Sequence, residues 1–316
     1  MRELPGKPPV RNFTAVEPEP SAFDRNQSPK HSSPPSLTPP KPPEAVMRKS
    51  ILLIPLSILA AVALAASTHD DETLAKAYQM QLQFRQGNSD VTIPLVKMLE
   101  QAVAQSPNNA ALWEALGHAN MSKEGALSLA PPDMPALLAT AQKARDAYAR
   151  SLALRPDNML ALSSHGMAGM VVAQFEGDGA GITAAVEEMN EAVRRAPKSI
   201  SVRLVRAFTT IYLPVAMRDT DAVVEDLRFI LDYTTNPRAE DVLHVMLGDV
   251  YAETGKPDAA RGEYGHVTGA SSFAAEQAKF RFVDLGKGAV APESIAKVRE
   301  STGSRCVTCH AAGTDN

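Results

Sequence analysis

Cysteine, tryptophan and aromatic side chains in general are scarce in this chain of 316 residues, which has two Cys, one Trp and 5% aromatics. Two cysteines cannot build a disulfide framework, and they supply only half the ligands of a zinc ribbon or finger. There is no Gly-rich phosphate loop, and no Ser–His–Asp pattern in the local context that such a site requires. Charge of one sign is missing too. Lys and Arg number 32 against 36 Asp and Glu, a net charge of -4, so no basic field points to nucleic acid. From Glu72 to about Leu285 β-branched alternation is lacking, which excludes a strand-built body. No catalytic residue stands out, and the chain is read as a non-enzyme.

The two cysteines that are present stand together, in Cys306-Val307-Thr308-Cys309-His310. This is the spacing for covalent attachment of one haem c. Cys306 and Cys309 would form thioethers to the two vinyl groups, and His310 would ligate the iron from one side. A redox dithiol or a disulfide remains open in an exported protein, and so does zinc with ligands from elsewhere. A thioredoxin-like motif belongs at a helix start near a βαβ pattern. Here a loop-like Ser301-Thr302-Gly303-Ser304-Arg305 precedes it.

Haem of this kind requires export, and the pattern of a secretory signal lies at residues 47–66. Met47-Arg48-Lys49 is basic, Ile51 to Ala66 is apolar, and Ala63-Leu64-Ala65 is a small-x-small cleavage site. The run is shorter than the ~20 residues that comfortably span a bilayer. Residues 1–46 are rich in Pro, Ser and charge, as in Pro39-Pro40-Lys41-Pro42-Pro43, and are expected to be disordered. Either translation begins at Met47, or a cytoplasmic tail precedes an uncleaved signal-anchor. The completeness of the signal from Met47 favours the first. Both place the body in the periplasm, free or anchored to the inner membrane.

Over residues 72–285 apolar residues recur at three- and four-residue steps, as in Leu95-x3-Leu99-x2-Ala102-Val103, the pattern of amphipathic helices. Prolines with polar neighbours punctuate the helix ends at Ser106-Pro107-Asn108-Asn109, Arg155-Pro156-Asp157-Asn158, Ala196-Pro197-Lys198-Ser199 and Thr235-Asn236-Pro237-Arg238. Small and aromatic markers recur between them. They are Trp113-x2-Leu116-Gly117, Ala144-x3-Tyr148-x2-Ser151-Leu152-x3-Pro156, and Leu162-x3-Gly166 with Ala185-x3-Met189. Leu247-Gly248-x2-Tyr251 with Ala260-x3-Tyr264 is the fullest set.

These segments resemble the tetratricopeptide repeat (TPR), whose pattern runs W-x2-L-G-x2-Y, then A-x3-F, then a proline. The resemblance covers about two thirds of the chain. It implies an all-α, TPR-like helical-repeat solenoid, followed by a linker and short haem-binding segment at 286–316. Pro107, Pro156 and Pro197 are further apart than the family's ~34-residue repeat. The extra length is expected at Lys123–Pro135 and Phe175–Gly181, the first as a loop or extra turn.

In such a stack the first helix of each pair lines a concave groove. Helical phase places His118, Met121, Met167, Met170, Phe208, Ile211 and Tyr212 on that face. An apolar, Met-rich face of this kind suits a partner helix. His118, Met121, Met167 and Met170 are also candidates for the second axial ligand of the haem. His165 and His244 fall nearer the packing face, and Arg203 and Arg206 read as a solvated basic cluster. A cytochrome c domain has its motif near the start, with tens of residues after it, and this chain departs from that pattern. The expected function is a TPR scaffold that docks a covalent haem to a membrane redox complex for electron transfer. The alternatives are a periplasmic scaffold or assembly factor, similar to those of cytochrome c maturation, or a structural subunit, with the Cys pair as dithiol or disulfide.

Overall fold

The structure is a computed structural model and describes residues 53–128 and 133–286. Among these residues it contains eleven α-helices and no strand. Ten of them form five successive pairs: α1 (Leu53–Arg85) with α2 (Thr92–Gln105), α3 (Ala110–Leu127) with α4 (Met134–Leu154), and α5 (Met159–Glu176) with α6 (Gly179–Arg195). The series continues with α7 (Ile200–Thr210) and α8 (Thr220–Tyr233), then α9 (Pro237–Glu253) and α10 (Pro257–Gly265). A final helix, α11 (Ser272–Gly286), packs on α9 and α10. Each pair touches the next, so no pair buries its apolar face alone.

The turns are set by capping. Asn109, Asn158, Ser199 and Asn236 begin the first helices of four pairs, each accepting backbone N–H bonds through its side chain. Asp133, Asp178 and Asp219 do the same for α4, α6 and α8. Each such cap contributes ~1 kcal/mol. The caps also join neighbouring pairs. Asn109 donates to the buried Asp70 carboxylate at 3.0 Å, and Asn158 donates to Glu114 at 2.6 Å. Trp113 closes its own turn by donating Nε1–H to the carbonyl of Pro107 at 2.9 Å.

Within a pair, one small residue faces one large one. A Cβ on Gly117 would lie 2.5 Å from the Tyr148 ring, and one on Gly248 would lie 2.2 Å from Tyr264. At Gly166 it would meet the Ala185 carbonyl at 2.7 Å and Met189 at 3.0 Å. The other two pairs have alanine and leucine in the corresponding clusters, Ala77 with Leu99 and Ala207 with Leu227. All five large side chains are fully buried. At the three glycines a large side chain or backbone fills the space a Cβ would take, as dense interior packing requires.

Three expectations change. Lys123–Leu127 extends α3 as helix, and Met134 and Pro135 already open α4. Phe175–Gly181 is a tight connection: the end of α5, Gly177 at φ 68° and the Asp178 cap. The extra length therefore lies largely in long helices. Pro237 opens α9 at its first turn, where its missing N–H costs nothing, whereas Pro107, Pro156 and Pro197 lie before their caps. α1 runs unbroken from Leu53 to Arg85, beginning well upstream of the repeat region expected from residue 72. Among the described residues no helix is long and apolar enough to cross a membrane. Residues 1–46 and the Cys306–His310 motif lie outside the described residues.

Candidate functional site

The partly exposed face of α3 and α5 holds the most developed polar site. His118 Nδ1 lies 2.8 Å from the Tyr148 hydroxyl, which reaches it from α4. Its Nε2 is 3.7 Å from Glu114 Oε1, one turn earlier, and the side chain is 36% exposed. Glu114 Oε2 accepts from Arg155 Nη2 at 3.1 Å as well as from Asn158. Burial by itself would raise the Glu114 carboxyl, but hydrogen bonds from His118 and Asn158 and the nearby cationic charge hold it below its ordinary value. Burial pushes the Tyr148 phenol far up, so it keeps its proton. The imidazole is thereby held at both nitrogens, Nδ1 by Tyr148 and Nε2 beside Glu114.

The other predicted groove residues divide. Met121 is half-buried against Ala144, Tyr148 and Ala168, and Met167 is half-buried against Ala185 and Met189. Phe208 and Tyr212 flank the core of the last pairs in the same way. Met170 and Ile211 are corrected: each is 3% exposed and belongs to the core. Leu213, just past the short α7, packs with Met170 and closes that position. Ile211 follows the end of α7 and is enclosed with Val223 and Leu227.

Arg203 and Arg206 are also corrected. They are buried, not solvated, and converge on Asp226 of α8, which is 0% exposed. Arg203 Nη1 donates at 2.6 Å, and Arg206 donates through Nε at 2.7 Å and Nη2 at 2.8 Å. Sequence reading missed this cluster because its acid lies on a different helix. His165 and His244 are partnered as expected, through Nδ1 to Glu188 at 2.7 Å and to Glu263 at 2.9 Å. Among the described residues no group of three or more His, Cys, Asp or Glu is placed to hold a metal ion.

No family model and no curated protein matches the sequence. Among solved structures the chain is similar to a thermophilic TPR protein of Thermus thermophilus. That likeness has 14% identity and a TM-score of 0.50, over 67% of this chain and 98% of that one. A tetratricopeptide repeat protein from Parabacteroides merdae shares 18% identity over 73% of this chain and 98% of its own, with a TM-score of 0.30. The helix pairs and the first of these likenesses define the class: an all-α, TPR-like helical-repeat solenoid.

Proposed function

We propose that the protein is an exported haem c carrier in which the repeat solenoid docks to a partner protein of a membrane redox complex, so that the haem passes single electrons. The observation that carries this reading is Cys306-Val307-Thr308-Cys309-His310, which uses both cysteines of the chain. Cys306 and Cys309 would hold the haem by addition of each S–H across one vinyl C=C, and His310 would ligate its iron. The signal pattern from Met47 supports export to the periplasm.

Of the distal candidates, His118 fits an iron ligand best. Its Nδ1 is held by Tyr148, the kind of outer hydrogen bond that orients ligating histidines. Ligation through Nε2 requires the tautomer in which Nδ1–H donates to the Tyr148 oxygen, and requires Nε2 to give up its contact with Glu114. Met121 and Met167 follow, and Met170 is the poorest because the core encloses it. The half-buried Met121, Met167, Phe208 and Tyr212 suit an apolar partner surface.

A pyridine haemochrome spectrum of protein made with the c-type maturation machinery tests the reading. The expected spectrum is that of a haem with two thioether links. Protein that leaves that machinery without covalent haem overturns the proposal and leaves a scaffold with a Cys306–Cys309 dithiol or disulfide.

A further inference from the structure

α11 is the last helix of the described stack, and its outer face exposes two large apolar side chains between charged ones. Phe280 is 63% exposed and Val283 is 52% exposed, on the side opposite the buried Ala274, Ala278, Arg281 and Leu285. An end helix of a solenoid normally turns a polar face outward, because no further repeat covers it. The interior side of α11 is meanwhile firmly fixed: Arg281 pairs with Asp249, its Nη2 donating at 2.8 Å, and Tyr264 donates to the same carboxylate at 2.8 Å. The exposed pair therefore stands on a rigid platform.

We infer that this face is the docking surface for the chain's own segment Glu293–Glu300. The segment follows α11 after a linker of six residues, Lys287 to Pro292. Six residues reach ~20 Å. Phe280 lies six positions before Gly286, ~9 Å back along the helix axis, so the segment can return over it. Ile295 and Val298 are three apart, as Phe280 and Val283 are, the spacing that puts two apolar side chains on one side of a helix. Lys297 and Glu300 complement Glu276 and Lys279, which border the exposed pair. Docking there holds Cys306 to His310 near the last helix. Ser301 to Arg305 reaches ~17 Å, less than the three helix pairs between α3 and α11 at ~10 Å each. A docked segment therefore takes its distal ligand from a partner, and ligation by His118 requires the segment to leave α11. The inference holds whether or not haem is attached.

The test compares trypsin cleavage after Lys297 and Arg299 in the full-length chain, read by mass spectrometry, with Phe280→Ser/Val283→Ser and Ile295→Ser/Val298→Ser. Either double variant should speed cleavage at least ~10-fold, the population of docked segment that a 1.4 kcal/mol contact protects, and their combination should add little. An unchanged thermal midpoint for the described helices shows that the surface changes leave the fold intact. Equal cleavage in all chains overturns the inference. So does a wild-type dimer that Phe280→Ser/Val283→Ser makes monomeric without faster cleavage, since the face then belongs to a second copy. Repeating the measurement in Cys306→Ser/Cys309→Ser, which carries no covalent haem, separates this inference from the haem reading: protection should persist there, and its loss counts against docking by Glu293–Glu300.

Discussion

The two halves of the solenoid are held together by different physics. Up to Ala196 the most deeply buried charged side chain among the described residues is Asp70, which accepts from Ser106 and Asn109. That half relies on small–large contacts such as Gly117 with Tyr148, and on caps. From Ile200 onward, Arg203, Arg206, Arg218, Asp226, Asp241, Asp249, Glu263 and Arg281 are all buried. Arg218 pairs with Glu253 at 2.6 Å, and Asp241 accepts N–H bonds from Thr268, Gly269 and Ser271, fixing the turn into α11. A solenoid has only nearest-neighbour interfaces, so each junction can be solved locally and differently. Neutral packing contributes stability directly. Buried ion pairs contribute little net stability but make a broken partner expensive, so they fix which helices pair.

The sharpest way to break this contrast is Asp226→Ala. It leaves Arg206 buried without its acid and Arg203 with only the exposed Glu225, and should cost ~3–5 kcal/mol in urea unfolding. Replacing all three with apolar residues, Arg203→Met, Arg206→Met and Asp226→Leu, should recover most of that loss. A single variant with near wild-type stability would show that the cluster is not closed to water.

Gly117→Ala tests the other half. The added methyl runs into the Tyr148 ring and should cost ~1–3 kcal/mol. Combining it with Tyr148→Leu removes the ring that the methyl meets and should return part of the loss. If Gly117→Ala is neutral, the small–large relation has no energetic content.

The smallest effect expected is at Glu124, whose carboxyl burial pushes up to about 7. In the unfolded chain it ionises near its ordinary value, so the unfolded state gains charge first as pH rises. Stability therefore falls between about 4.5 and about 7 and stays lower above. Glu124→Gln should raise the thermal midpoint at pH ~8 and leave it nearly unchanged at pH ~4. Equal shifts at both pH values would remove ionisation as the cause.

Much of this fold was legible in the chain. The prolines with their polar neighbours and the Gly–Tyr markers are local signals of the helix pairs, whereas the Asp133, Asp178 and Asp219 caps went unread. Phase placed His118, Met121 and Met167 on the groove face, and the structure has all three partly exposed. It failed at Met170 and Ile211 because the cover over each comes from an element distant in sequence or from an irregular turn. It failed at Arg203 and Arg206 for the same reason: Asp226 sits on the next helix, and nothing near the arginines announces it.

Helical period, turn chemistry and the Cys306–His310 spacing follow from the order of residues, because each depends on side chains a few positions apart. Which charges are buried, which methionines stay near the surface and which face of α11 stands uncovered emerge only when the helices pack. Burial is a property of neighbours across helices. Two helices meet through residues that lie far apart along the chain, as Arg206 with Asp226 and Asp70 with Asn109 do.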